Sequence, residues 1–209
     1  MLYDFPHYNL TLFLPPWTEK SYLMKDILEL YIQTKSSRKL LADILEEVHY
    51  KKGEKLVSLK EKSNDMFFIK KGITRSYYLD SKGKPHTRFL FISPQVFGSL
   101  ASLILEKPST MIHEAITDCT VLKGDFKKFK KLATTNLELS NLYSSLLETA
   151  FIMMDNRNRE LSSLDATQLY LKLQKEKPQI LKSIPLNHIA SYLNITPVQL
   201  SRIRRELKK

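Results

Sequence analysis

Apolar positions change their spacing along the chain, and each change marks a new kind of element. Over residues 22–47, YLMKDILELYIQTKSSRKLLADILEE, Leu, Ile and Tyr recur at helical intervals, which predicts a helix. Residues 48–122 switch to short runs rich in Val, Ile, Phe and Tyr: EKLVSL, MFFIKKG, TRSYYLD, RFLFI and IHEAITDCTVLKG. Polar turns separate these runs, which predicts short strands of an antiparallel sandwich or barrel. Gly53, Gly72, Gly83, Gly98 and Gly124 all fall at the ends of such runs and are expected at turns with positive φ. From Asp125 the spacing is helical again: a short helix FKKFKKLA, then a long one near 136–160. Polar residues 155–160 end its apolar stripe, and a further helix, DATQLYLKLQKE, runs to Pro178.

On the long helix Leu139, Leu142, Leu146 and Met153 take a and d positions of a heptad, with Leu147 and Ala150 beside them. Such a seam predicts a coiled-coil contact with a second copy. The alternative is that this face packs on the chain's own β domain. The expected units are an N-terminal extension or arm (1–23), a sensor domain (24–134), a dimerisation helix (135–160) and a C-terminal domain (161–209).

The C-terminus, IPLNHIASYLNITPVQLSRIRRELKK, carries the most specific pattern. Ile189, Ala190 and Leu193 form the inward face of one short helix, and Asn194 suits a left-handed turn. Thr196 is a natural N-cap, Pro197 fits the first helical position, and Gln199 completes a capping box. The second helix is expected to bury Leu200, Ile203 and Leu207. This spacing predicts a helix-turn-helix. Its opposite face holds Val198, Gln199, Ser201, Arg202 and Arg205. Arg202 suits two-pronged contact with guanine, Gln199 with adenine, and Val198 a thymine methyl. Arg204, Arg205, Lys208 and Lys209 suit phosphates, and Thr196 is counted with them among the DNA-binding residues.

Charge adds weight to that reading. The chain has a formal net charge of +11, pointing to a polyanionic partner. Many lysines lie in the strand-rich region and read as solvated edges. Residues 197–209, in contrast, hold five basic residues and one acid. Cys119 is the single cysteine, which excludes a disulfide framework and a cysteine-held cluster. No apolar run reaches the ~20 residues of a membrane helix, and the opening segment lacks the form of a signal peptide, so a cytoplasmic location is expected. The five histidines are scattered, with no H-x-H or H-E-x-x-H pattern, so neither a metal centre nor catalysis is expected.

Taken in order, these parts resemble the Crp/Fnr superfamily, the relatives of the cyclic-AMP receptor protein. The resemblance covers about residues 24–209. KKGEKLV and MFFIKKG are similar to early β-roll turns, QVFGSLASL to the start of the phosphate-binding cassette, and IASYLNITPVQLSRIRREL to the recognition unit of one branch. The resemblance implies an α+β fold: an N-terminal antiparallel β-roll, jelly-roll-like and of the cyclic-nucleotide-binding kind, a long dimerisation helix and a C-terminal winged helix-turn-helix. It implies a homodimer on palindromic promoter DNA and contact with RNA polymerase. The chain departs from the family at the effector. Ser99 stands where cyclic-AMP binders carry glutamate, and Ser109-Thr110 where they carry arginine and serine. Cyclic AMP is therefore not the expected effector, and no cofactor is expected. Arg75, Arg88, Gly98, Ser99, Ser109 and Thr110 are the candidate pocket residues for an unidentified small molecule. Residues 1–23 lie outside the resemblance: either Met24 is the true start, or Phe5, Tyr8, Phe13 and Trp17 pack as an arm. A signalling adaptor acting through protein partners is the alternative function.

Overall fold

The computed structural model describes residues 31–207; the N-terminal arm expected at 1–23 and the terminal Lys208 and Lys209 lie outside them. Strands β1 (Leu45–Tyr50), β8 (Cys119–Asp125), β3 (Asp65–Lys71) and β6 (Val96–Phe97) form one four-stranded sheet in that order. β2 (Lys55–Val57), β7 (Ile112–Ala115), β4 (Ile73–Leu79) and β5 (Pro85–Ile92) form the other, and all pairings are antiparallel. The short strands predicted for this region are thus realised as two facing sheets. Their inner faces meet through Val57, Phe67, Ile69, Phe91, Phe97, Ala115 and Val121, with Phe97 stacked between Phe67 and Phe91.

Both outer faces are also covered, which explains why so many strand positions are apolar on each side. Over the first sheet lie α1 (Lys35–Ala42), α2 (Leu100–Leu105), α3 (Phe126–Ala133) and the first half of α4 (Leu137–Ser163). Met66 and Phe68 of β3 meet Leu103, Phe126, Phe129, Leu139 and Leu142 there. Over the second sheet lies an all-helical unit: α5 (Ala166–Glu176), α6 (Pro178–Ser183), α7 (Leu186–Tyr192) and α8 (Pro197–Glu206). Its core of Leu169, Leu173, Ile180, Ile189, Leu193 and Leu200 is continuous with Ile73, Leu90 and Ile116 of the sheet side.

Three expectations are corrected. The helix predicted over 22–47 does not run through its described part. Thr34 caps a new helix by accepting from the Ser37 amide, and Leu45–Tyr50 instead pairs with β8. The glycines divide into two kinds. Gly72 has φ +101° in the tight β3–β4 turn, where a Cβ would lie 2.6 Å from the Asp118 carbonyl. Gly124 sits within β8, where a Cβ would lie 2.6 Å from the Leu45 side chain, so close approach rather than positive φ requires it. Finally, no strand occurs among residues 164–207, so the C-terminal unit has no wing there. Its segments carry helical spacing of apolar residues and none of the alternation a wing would need.

Candidate nucleic-acid interface and sensor interior

The α7–α8 pair is built as its residues dictate. Asn194 adopts φ 57°, the left-handed turn between the helices. Thr196 Oγ1 accepts from the Gln199 amide at 3.2 Å, and Gln199 Oε1 accepts from the Thr196 amide at 2.8 Å, closing a reciprocal cap. Ile189, Ala190, Leu193, Leu200 and Ile203 are buried between the helices; Leu207, expected among them, is exposed. The outer face of α8 presents Val198, Ser201, Arg202, Arg204 and Arg205 to solvent.

Two of these residues have neighbours that bear on base reading. Gln199 has its oxygen committed to the cap, so it cannot make the two-pronged contact with adenine that needs both its oxygen and its nitrogen. Arg202 Nε donates to Glu206 Oε1 at 2.8 Å, which leaves its terminal nitrogens facing outward. Arg204 and Arg205 lie in the last turn of α8, beside its carbonyl end. Lys208 lies outside the described residues.

The back of α7 is fastened to the sandwich and to α4. Arg75 of β4 donates through Nη1 to His188 Nδ1 at 2.7 Å, and the same guanidinium grips Glu114 of β7 through Nε and Nη2. Ser191 Oγ accepts from the Thr87 amide at 2.9 Å. One helical turn beyond His188, Arg157 of α4 stacks on the Tyr192 ring at 4.0 Å and donates to the Tyr192 carbonyl.

That placement corrects the sensor-pocket set. On β4, Ser76 points into the sandwich and Arg75 points out of it, because successive strand residues face opposite ways. Arg75 is therefore on the other side of the sheet from Ser99 and Ser109. Arg88 lies with its guanidinium 5.4 Å from the Phe89 ring, and Thr110 is exposed. Gly98 leads from β6 into α2, where a Cβ would meet Leu103 at 3.0 Å. Ser99 and Ser109 do come together, their hydroxyls 2.5 Å apart. His113, not singled out from sequence, joins them: its Nε2 lies 2.9 Å from Ser99 Oγ and its Nδ1 2.6 Å from Ser76 Oγ. The alternation of Ile-His-Glu-Ala, with Glu114 outward, was the signal that His113 faces inward.

Each bond of this chain has one consistent direction. Ser109 donates to the Met111 carbonyl at 2.7 Å, so it accepts from Ser99. Ser99 then accepts from His113 Nε2–H, and Ser76 donates to His113 Nδ1. Burial pushes the His113 pKa down to about 4 from 6.5, which keeps the imidazole neutral and leaves Nδ1 to accept from Ser76. Folded His113 thus binds its proton less readily than the unfolded chain does. Its contribution to stability is complete above about pH 6.5 and lost as pH falls towards 4, to the extent of roughly 3 kcal/mol. Urea unfolding across this window should show that loss, and His113→Gln should flatten it. A slope unchanged by the substitution would refute the assignment.

The long helix reverses its expected faces. Leu139 and Leu142 are 0% exposed, Leu146 packs against the same cluster, and Met153 packs against the inner core of the sandwich. The seam assigned to a second copy is therefore engaged within the chain's own domain, because α3 and the outer face of the first sheet need covering. A second stripe faces outward: Phe151 is 72% exposed, Met154 42% and Leu161 44%.

A double antiparallel sheet with helices on its flanks defines the class: residues 47–136 match the cyclic nucleotide-binding domain family. The chain as a whole has the fold of Crp/Fnr-type regulators. Among solved structures it is similar to a putative Crp/Fnr-family transcriptional regulator from Eubacterium rectale, with TM-score 0.68, 19% identity and 88% of each chain covered. FixK2 from Bradyrhizobium japonicum matches with TM-score 0.64 and 19% identity over 79% of this chain and 85% of its own. The c-di-GMP-responsive regulator CLP of Xanthomonas campestris matches with TM-score 0.66 and 10% identity over 84% and 92%. At these identities the likeness is one of fold. No curated protein sequence matches the chain. No helix among the described residues is long and apolar enough to cross a membrane, and no cluster of ligating side chains occurs among them.

Proposed function

We propose that this chain is a sequence-specific DNA-binding transcription regulator of the Crp/Fnr type, and that it acts as a homodimer on palindromic promoter DNA in the cytoplasm. The single observation that carries the reading is α8: a capped helix, buried on one side by Leu200 and Ile203, whose free side offers Val198, Ser201, Arg202, Arg204 and Arg205. This is the geometry of a helix that enters the major groove, with arginines at base edges and at phosphates. Thr196 and Lys208 flank it as further backbone contacts, and Gln199 serves as the cap. RNA polymerase is the expected partner downstream.

The dimer in this reading uses the outward stripe of α4. Ser144, Leu147, Phe151, Met154, Asn158 and Leu161 recur at alternating steps of three and four, the spacing of a coiled-coil seam. A polar Asn158 at such a position would fix the register of the two helices.

Cyclic AMP is not the effector in this reading. Ser99 bonds to both Ser109 and His113, and Arg75, the one buried arginine of the sandwich's strands, faces away. A ligand at a hundred times its dissociation constant stabilises a fold by about 2.7 kcal/mol. Millimolar cyclic AMP is expected to leave the melting temperature unchanged, and a clear rise would overturn this part. For the main proposal, duplex binding should weaken steeply as salt rises, through release of counterions. Binding that is insensitive to salt would instead point to a protein partner.

A further inference from the structure

The contact between Arg75 and His188 joins two units that a DNA-binding role alone does not require to touch. His188 lies on the back of α7, away from the exposed face of α8. It is half-buried and accepts a hydrogen bond from the guanidinium of Arg75, a residue only 6% exposed. Only an unprotonated Nδ1 can accept that bond. Protonation would remove the acceptor and set two cations side by side in a desolvated contact. The geometry points to a proton-sensitive latch: we propose that neutral His188 holds α7 against β4 and β5, and that its protonation releases the helical unit from the sandwich.

The charged groups around His188 favour this sign. Arg75 of β4 and Lys52, from the turn between β1 and β2, both oppose a charged imidazole, and Glu114 of β7 partly offsets them. Glu114 is itself gripped twice by Arg75, at 3.1 and 2.7 Å, and Arg75 also lies over the Tyr77 ring at 4.1 Å. From β5 the packed groups are Thr87 and the Pro85 carbonyl, both at Ser191, and the imidazole of His86 is turned to Asp80. Arg157 and Glu160 of α4 act a turn further on, at Tyr192. Burial first, and then Arg75, hold the His188 pKa below 6.5. The released state takes up the proton more readily than the latched one. The latch is therefore closed above about pH 6.5 and weakens as pH falls below it, by up to about tenfold for each unit that docking depresses the pKa.

The Thr87 amide reports the latch directly, since it donates to Ser191 across the contact. Amide hydrogen exchange is measured by NMR on the full chain, corrected for the intrinsic effect of pH. Protection at Thr87 and in α7 should fall roughly three- to tenfold between about pH 8 and about pH 5.5. His188→Gln supplies an oxygen acceptor that does not titrate, so its protection should be flat over the same range, with His86 still present as the internal control. Flat protection in the wild-type chain overturns the proposal, as does an equal fall in His188→Gln. Should that variant fail to fold, the imidazole of His188 is titrated in the wild-type chain. A midpoint below 6.5 that coincides with loss of Thr87 protection supports the latch. A midpoint at or above 6.5, or one that leaves protection untouched, overturns it.

Discussion

Phe151→Glu is expected to convert the proposed homodimer to monomers, with the melting behaviour of the monomer nearly unchanged, whereas Leu142→Ala should do the reverse. Phe151 is 72% exposed on the outward stripe of α4, so removing it costs the described fold little. At the centre of a seam, a buried aromatic anchor contributes on the order of 2 kcal/mol or more, and a glutamate there would face its own copy. The dimer dissociation constant should rise by at least about thirtyfold, by sedimentation. Leu142 is 0% exposed and lies among Phe126, Phe129 and Leu139. Its truncation should cost about 2–5 kcal/mol in denaturant unfolding through lost burial and the cavity left behind. A dimer that survives Phe151→Glu but is lost in a well-folded Leu142→Ala would restore the seam of Leu139, Leu142, Leu146 and Met153.

Arg202→Ala is the second substitution of large expected effect. Arg202 is exposed on α8, with its terminal nitrogens outward and its Nε on Glu206. A bidentate contact with one guanine is worth about 1–3 kcal/mol of discrimination, so its loss should relax selectivity at one base pair of each half-site. Arg204→Ala should weaken binding about equally on all sequences and lower the salt slope by roughly one. The contrast between the two separates base reading from phosphate contact. Equal losses on cognate and scrambled duplexes for Arg202→Ala would remove it from the base-reading set.

The parts legible in the sequence are those governed by local chemistry. Thr196, Gln199 and Asn194 each specify a backbone conformation through neighbours three residues away or fewer, and the turn forms as their side chains require. The short Val-, Ile-, Phe- and Tyr-rich runs of β3, β4 and β5, bounded by polar turns, were legible for the same reason. What was not legible depends on which of two equivalent surfaces a distant element covers. The long helix carries two apolar stripes, one through Leu139 and Leu142 and one through Phe151 and Leu161. Only the demand of Phe68 and Phe129 for cover decides which turns inward. Arg75 and Ser76 are adjacent, and the choice of which faces the sandwich rests on the pairing of β4 with β5 and β7. The helical spacing read over 22–47 runs into Leu45–Tyr50, whose strand exists because β8 offers an edge. The docking of α7 on β5 is likewise a tertiary event, made through Ser191 and Thr87, which are 104 residues apart.

Selection of bound duplexes from a random pool by the full chain reads base recognition and half-site spacing together. Enrichment of an inverted repeat is expected, its half-sites about one helical turn apart, with a fixed base pair that loses its preference in Arg202→Ala. A pool that stays random, or one enriched for the same sequence at the same strength by Arg202→Ala and Arg205→Ala alike, would contradict the proposed function.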